Sequence, residues 1–169
     1  MGGMDSIPIP TTAPSDFRIA SPEEAPAVVR AINAAFRKAE SFFVERNRID
    51  VETVRSLMKK GNFLVAGEPT VLAGCVYIEI RGERAYLGLL SVDPAQQRRG
   101  LGSLLMKAAE DYCARAGSRF VDLQIVNLRQ ELPGFYRSRG YVEQGTGPFP
   151  AEIKTKVPCH FIRMSKSLT

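Results

Sequence analysis

The stretch Leu89-Leu90-Ser91-Val92-Asp93-Pro94-Ala95-Gln96-Gln97-Arg98-Arg99-Gly100-Leu101-Gly102 decides how this chain folds. It begins in an apolar run that predicts a strand covered on both faces. It ends where apolar side chains start to recur with helical spacing, from Leu101 to Cys113. In such a strand–loop–helix unit, glycines let a ligand approach the main chain, and the first N–H groups of the helix attract an anion. Arg98 and Arg99 add positive charge, so the stretch predicts a phosphate-binding loop.

Two common phosphate-binding designs do not fit this loop. A P-loop needs the pattern GxxxxGK followed by Ser or Thr, which the chain lacks. A dinucleotide-binding turn needs a third glycine three residues after Gly102, but Leu105 stands there, and no βαβ unit opens the chain. A different kind of anion-binding loop at the start of a helix stays open.

Outward from this unit, periodicity and turn residues predict one mixed α/β domain over residues 17–169, preceded by a proline-rich disordered tail over residues 1–16. Ser21-Pro22-Glu23-Glu24 is a capping-box helix start, and a second helix is expected from Asp50 to Gly61. The other predicted helices cover 101–116 and 133–139. Strands are predicted at 17–20, 62–66, 71–80, 84–92, 120–126, 141–145 and 159–165.

Composition excludes several classes of protein. The 169 residues are 44% hydrophobic, and no run approaches the 18 apolar residues that predict a transmembrane helix. Three scattered cysteines and a single histidine, His160, indicate reduced thiols in the cytoplasm and neither a disulfide framework nor a metal site. The net charge of +5 suits an anionic ligand, but basic clusters of two residues do not indicate nucleic acid. The chain also lacks a signal peptide pattern at its N-terminus.

The sequence resembles the GNAT superfamily of N-acetyltransferases. Gln97–Gly102 matches the family signature Q/R-x-x-G-x-G/A, and Leu90–Pro94 is similar to the segment that leads into it. Asn127 and the Gly134–Tyr141 element resemble two further family features. The resemblance implies a central twisted mixed sheet of about six to seven strands, splayed in the middle and flanked by about four helices. It implies direct transfer of the acetyl group of acetyl-CoA to a primary amine, without a metal, by a monomer or homodimer.

The resemblance also implies roles for individual residues. Main-chain groups of Leu90 and Val92 would pair with the pantetheine arm, loop N–H groups would hold the pyrophosphate, and the Asn127 amide would bond the pantetheine chain. The Val92 N–H would stabilise the oxyanion, and the Tyr136 hydroxyl would donate a proton to the leaving thiolate. The implied cofactor contacts are Leu90, Ser91, Val92, Gln97, Arg98, Arg99, Gly100, Leu101, Gly102, Ser103, Asn127 and Tyr136. The alternatives are that Asn127 only fixes the turn after its strand, and that Tyr136 is a core residue beside Leu132 and Phe135.

The general base is the point where this sequence departs from the family pattern. Members with a glutamate base carry it on the strand before the loop, at the position of Tyr86 here. Glu79, on the preceding strand, is the nearest substitute, and Glu83 lies in the adjoining turn. The alternatives are that Glu79 is a solvated strand residue and that water accepts the proton.

The acceptor site is expected beside two segments of unclear periodicity. The resemblance places the connection between the first two helices and the loop before the last strand at the acceptor side of the cleft. Aromatic groups there suit an apolar acceptor body, Glu45 suits an ammonium group, and Arg46 and Arg48 suit a carboxylate. The alternative is that these are exposed loop charges. The candidate residues are Phe42, Phe43, Glu45, Arg46, Arg48, Tyr86, Phe149, Glu152, Lys154 and Lys156.

Two other functions stay open at this point. A CoA-binding sensor domain would keep the loop without turnover, and a protein-modifying enzyme would need an open groove that admits a peptide. A small-molecule enzyme would instead have a closed pocket, which the segment 41–49 is placed to supply.

Overall fold

The structure, a computed structural model, describes residues 17–96 and 100–169. The tail predicted for residues 1–16 and the loop residues Gln97, Arg98 and Arg99 lie outside the described residues. The strands are β1 (Arg18–Ile19), β2 (Asn62–Glu68), β3 (Val71–Arg81), β4 (Arg84–Val92), β5 (Phe120–Val126), β6 (Val142–Pro148) and β7 (His160–Ser167). The α-helices are α1 (Ala25–Glu40), α2 (Val51–Lys60), α3 (Leu101–Arg115) and α4 (Leu132–Arg137).

Among the described residues, seven strands form a single sheet in the order β1-β2-β3-β4-β5-β7-β6. Neighbouring strands are antiparallel except β4 and β5, which run parallel because the chain returns through α3 between them. The predicted mixed α/β fold, with its order of strands and helices, is confirmed. In the part of the chain that the structure describes, no helix has the length and apolar character needed to span a membrane.

Local sequence signals account for the starts of the first two helices. The Glu24 carboxylate accepts a hydrogen bond from the Ser21 N–H at 2.9 Å and pairs with Arg18, so the predicted capping residues fix a short 3-10 turn that leads into α1. Asp50 caps α2 by accepting from the Thr53 N–H at 2.8 Å.

Strand alternation divides the core between the two faces of the sheet. Phe63, Val65, Cys75 and Tyr77 pack with α1 and α2 in one cluster. Their neighbours on β2 and β3, such as Leu64 and Val76, point the other way and pack with the apolar stripe of α3. The sheet therefore separates an α1–α2 face from an α3–α4 face, and a ligand site that uses both must pass through it.

Gly74 on β3 allows α3 to lie close to the sheet. It pairs with Val92 at the end of β4, next to the start of the loop. A Cβ atom on Gly74 would come within 2.8 Å of the Ser91 carbonyl oxygen and 2.9 Å of Leu105 Cδ1. Close packing at this position thus depends on the missing side chain.

We expect Gly74→Ala to lower the free energy of unfolding by about 1–3 kcal/mol, because the added methyl group overpacks the contact between α3 and the sheet. Gly134→Ala is the matched control, since nothing lies within 4 Å of a Cβ at Gly134 and alanine favours the helix. Urea unfolding of both variants measures the difference. Equal stabilities of the two variants would contradict the close packing described here.

Candidate active site

The sheet opens between β4 and β5. These strands pair only over Arg84–Tyr86 with Phe120–Asp122. Beyond this paired region, β4 has a bulge against β3, where Leu89 and Leu90 together lie opposite the single residue Val76. Leu89 has a positive φ of 55°, which is rare for a residue other than glycine. The bulge turns β4 away from β5, so the splay expected in the middle of the sheet is present.

A cavity of about 510 Å³ fills this opening, and we call it the passage. Its wall includes Gly102 and Tyr136 from the α3–α4 face, and Phe36 and Glu40 from the α1–α2 face. The passage therefore runs through the sheet. On the α1–α2 face it adjoins a wider cavity of about 1260 Å³, the outer chamber, and Arg48, Tyr86, Leu89 and Gln124 line both.

The start of α3 forms one end of the passage. Gly100 has a φ of +75° and caps the helix, and the first intrahelical hydrogen bond runs from the Leu104 N–H to the Gly100 carbonyl. The preceding N–H groups, from Leu101 to Ser103, have no carbonyl within the helix to bond. A Cβ at Gly102 would meet only Val92 Cγ2 at 3.7 Å and Phe135 Cζ at 3.9 Å, so this surface is open to a ligand.

Ser103 borders the passage, and its hydroxyl accepts a hydrogen bond from Arg139. The Arg139 guanidinium lies 3.7 Å from the centroid of the Phe135 ring. Arg139 therefore places a positive charge beside the first turn of α3, a contribution that the sequence motif did not reveal. The predicted contacts Gly100, Leu101, Gly102 and Ser103 all line the passage.

The β4 residues alternate across the sheet. Leu90 and Val92 line the passage, as a pantetheine contact requires. The Ser91 side chain does not: it is 1% exposed, and its hydroxyl donates to the Leu89 carbonyl at 2.9 Å. Strand alternation turns the Ser91 side chain to the opposite face, beside Cys75, so only its main chain is left for the expected cofactor contact.

Tyr136 projects from α4 into the passage and is 7% exposed. Its ring packs edge-on against Phe135 and Tyr141, so its orientation is fixed. Burial raises the pKa of Tyr136 to about 12, although the charges of Arg129 and Arg139 oppose the shift. The phenol therefore stays protonated across the physiological range and acts as a hydrogen-bond donor.

Asn127 connects two strands. Its side-chain oxygen accepts from the His160 N–H at 2.8 Å, and its own N–H donates to the His160 carbonyl at 2.9 Å. The residues that line the passage end at Val126 and resume at Arg129. The geometry thus favours the alternative role, in which Asn127 fixes the turn after β5.

Glu79 lies directly opposite Tyr86 in the β3–β4 pair and faces the outer chamber. Its carboxylate accepts from Arg81 Nε and from the Tyr77 hydroxyl, both at 2.7 Å. These hydrogen bonds, that from Arg81 first, hold the pKa of Glu79 below its usual value. A carboxylate stabilised in this way is a weak base.

Four of the predicted acceptor residues, all in the α1–α2 connection, fall into three groups. Phe43 is a correction: it is fully buried with Val126 and Phe161, because the α1–α2 connection packs it beneath the chain as core. Glu45 and Arg46 are exposed, and only Arg46 of these two lines the outer chamber. Arg48 lines both cavities with a side chain that is 12% exposed.

The two segments expected at the acceptor side are hydrogen-bonded to each other, and we call this the strap. The Glu45 N–H donates to the Lys154 carbonyl at 3.0 Å, and the Lys156 N–H donates to the Phe43 carbonyl at 2.7 Å. Lys156 Nζ also donates to the Ser41 carbonyl at 3.0 Å. The strap holds the α1–α2 connection over one edge of the outer chamber.

Sequence reasoning missed a buried charged group at the passage wall, which we call the Glu40 cluster: Glu40, Arg48 and Arg129. Arg48 Nε and Arg129 Nη1 each lie 3.4 Å from a Glu40 carboxylate oxygen. Burial raises the pKa of Glu40, while the two guanidinium groups oppose the shift. Helical spacing from Ile32 and Phe36 contained the signal, since it places Glu40 on the inward stripe of α1.

The thiols show no sign of nucleophilic chemistry. Burial raises the pKa of Cys75 and of Cys113 to about 12, and it also raises the pKa of Cys159. Within residues 17–96 and 100–169, no three His, Cys, Asp or Glu side chains are grouped as metal ligands.

Comparison with known proteins agrees with this geometry. Residues 27–141 match the sequence model of the acetyltransferase (GNAT) family. No curated protein matches the chain significantly. A structure assigned as a phosphinothricin N-acetyltransferase is similar over 90% of this chain and 98% of its own, with 20% identity and a TM-score of 0.72.

Two further solved structures share the fold. The ribosomal-protein-alanine N-acetyltransferase from Brucella melitensis has 17% identity and a TM-score of 0.70 over 89% of this chain and 98% of its own. The protein yncA from Salmonella typhimurium was solved with acetyl-CoA as its cofactor. It has 19% identity and a TM-score of 0.69 over 90% of this chain and 93% of its own. Since the family match covers well over half of the sequence, the chain belongs to the acetyltransferase (GNAT) family.

Proposed function

We propose that this enzyme transfers the acetyl group of acetyl-CoA to the primary amine of a small molecule by direct attack. The observation that carries the proposal is the passage through the sheet, with the start of α3 at one end and the outer chamber at the other. Two substrates that enter from opposite faces can meet there. The structure of yncA with acetyl-CoA supports the choice of acetyl donor.

The residues at the α3 end fit acetyl-CoA. The N–H groups of Leu101, Gly102 and Ser103 point to the pyrophosphate, and the open surface at Gly102 gives it room. Leu90 and Val92 border the gap that opens between β4 and β5 beyond Tyr86, where the pantetheine arm can lie. Arg139, held on Phe135, adds positive charge nearby. Gln97, Arg98 and Arg99 are assigned to the same loop from sequence alone.

The chemistry then needs little more than positioning. The neutral amine attacks the thioester carbonyl carbon, and the carbon–sulfur bond breaks as the amide forms. We assign stabilisation of the oxyanion to the β4 main chain near the bulge, with the Val92 N–H as the donor that the family resemblance implies. The Tyr136 hydroxyl donates a hydrogen bond to the departing thiolate.

We assign the role of base to water in the outer chamber. Glu79 faces this chamber, but Arg81 and Tyr77 already use its carboxylate and keep its proton affinity low. The amine's proton therefore passes to solvent on the α1–α2 face.

The strap favours a small acceptor over a protein. An extended peptide needs an open groove in which several residues can lie, whereas the strap ties the α1–α2 connection to the segment before β7. A free amine can enter the outer chamber and reach the passage without opening these hydrogen bonds.

Release of free thiol from acetyl-CoA, with a panel of small primary amines and with hexapeptides of free N-terminus, tests this proposal. We expect at least one small amine to be acetylated with a kcat/KM well above that of every peptide. Comparable values for peptides would indicate a protein acetyltransferase. Binding of acetyl-CoA without turnover of any amine would indicate a CoA-binding domain.

Gly102→Glu is expected to weaken CoA binding by roughly 10-fold or more, because like charges about 4 Å apart repel by ~1 kcal/mol in water and ~4 kcal/mol near a protein surface. The fold should persist, since a Cβ at Gly102 makes only ordinary contacts. Gly102→Ala is the matched control and should lose less affinity than the glutamate variant. Calorimetry measures both, and an unchanged affinity in folded Gly102→Glu would contradict the loop assignment.

Tyr136→Phe is expected to lower kcat by about 10–100-fold with little change in CoA affinity, because the thiolate, whose ordinary pKa is near 8.5, is helped by a donor but does not require one. The loss should be constant from pH 6 to 9, since burial raises the pKa of Tyr136 to about 12 and the phenol does not titrate there.

Tyr112→Phe removes a hydroxyl on α3 that bonds Asn62 and serves as the control, with an unchanged kcat. If Tyr136→Phe has full activity at every pH, Tyr136 is a packing residue.

A further inference from the structure

The Glu40 cluster is a costly arrangement for a folded protein. Glu40 is the last residue of α1 and is 2% exposed. A carboxylate is disfavoured there twice, by loss of water and by the negative end of the helix dipole. The guanidinium groups of Arg48 and Arg129 offset this cost, and both also line the passage.

The hydrogen bonds within the cluster are incomplete. Glu40 Oε1 and Arg48 Nε are both buried, and neither has a hydrogen-bond partner among the described residues. The Arg48 guanidinium makes its ion pair at 3.4 Å, longer than a charge-assisted hydrogen bond. Glu40 Oε1 and Arg48 Nε thus face each other as an ion pair without a hydrogen bond, and a missing hydrogen bond on a buried polar group typically costs about 1–3 kcal/mol, which a ligand that bonds the cluster offsets.

Aromatic rings hold the two guanidinium groups in place. The Arg48 guanidinium carbon lies 5.3 Å from the Phe36 ring centroid and 5.1 Å from that of Phe149. The Arg129 carbon lies 6.0 Å from the Phe36 centroid, and Arg129 Nε donates to Glu131 at 2.9 Å. Stacking on a ring leaves the N–H edges of a guanidinium free to bind a planar anion.

The charge balance and the position of the cluster define the ligand. Two arginines face one buried carboxylate, and the second carboxylate at the wall, Glu131, pairs with Arg129 but is 62% exposed to solvent. Positive charge therefore predominates only in the buried part of the wall, beside Arg48. The phosphates of acetyl-CoA belong at the α3 end, on the opposite face, and the pantetheine arm is uncharged. An anion beside Arg48 must therefore come from the acceptor.

We propose that Arg48 and Arg129, held in place by the buried Glu40, form a subsite that binds a carboxylate on the acceptor amine. The inference rests on the proposed function and narrows its substrate to small molecules that carry both an amine and a carboxylate, such as free amino acids. In this subsite Arg129 acts together with Arg48, whereas the sequence analysis expected Arg46 in that position. Glu40 is a positioning residue here and does not touch the acceptor.

The test compares free L-amino acids with their carboxamides at saturating acetyl-CoA. The carboxamides should show at least a 10-fold higher KM, because a charge-assisted hydrogen bond contributes about 1.5–3 kcal/mol. Arg48→Ala should raise the KM of the best amino acid about 10–100-fold and leave the KM of acetyl-CoA unchanged. Arg48→Lys keeps the positive charge but lacks the planar guanidinium that makes two parallel hydrogen bonds to a carboxylate, so its amino-acid KM should lie between those of the wild type and Arg48→Ala.

Glu40→Gln should also raise the amino-acid KM, by about 3–10-fold, without changing the KM of acetyl-CoA, since it keeps the side-chain shape but releases the arginines. Arg55→Ala is the control, because Arg55 is exposed on α2 and lies outside both cavities. Equal KM values for amino acids and carboxamides, or equal effects of Arg48→Ala on both substrates, would overturn the subsite while the proposed transferase stands.

Absence of turnover with every amine would instead reject the proposed transferase. In that case, calorimetric titration of the CoA-bound protein with amino acids tests whether the subsite binds them. Binding that is lost in Arg48→Ala supports it, and no binding to the wild type overturns it.

Discussion

Strands β4 and β5 share hydrogen bonds over only three residue pairs, and their separation beyond Tyr86 shapes the rest of the site. Parallel strands inside a sheet normally satisfy each other's main-chain groups, and leaving such groups without partners is costly. The bulge at Leu89 and Leu90 forces the separation, and the core clusters on the two faces keep the remaining strands together. The result is a gap between packed walls that a ligand can enter.

The two faces of the sheet provide different electrostatic surroundings. At the α3 end, main-chain N–H groups and the partly exposed Arg139 provide the positive charge among the described residues. On the α1–α2 face, positive charge comes from side chains that are themselves partly buried and paired with Glu40. A helix end can bind phosphate through the backbone alone, whereas recognition of a particular small molecule needs side chains with fixed directions.

Local patterns were sufficient for the fold and for the position of the loop and helix start at the α3 end of the passage. Caps at Ser21–Glu24 and Asp50, the α3 stripe and the glycines of the loop act over a few residues, so the sequence displays them directly. The acceptor side depends on contacts across the chain, such as Glu40 with Arg129, 89 residues apart. Burial of Phe43 and the pairing of Glu79 with Arg81 and Tyr77 likewise follow from tertiary packing, which residue type alone does not reveal.

Because the passage pierces the sheet, the proposed reaction has two separate exits. Free CoA withdraws along the α3 face, and the acetylated amine leaves through the outer chamber. Neither product lies across the route of the other, so departure of one does not have to await departure of the other. Substitutions around the outer chamber can therefore change the acceptor specificity, while the opening at the α3 end, which serves acetyl-CoA, stays unchanged.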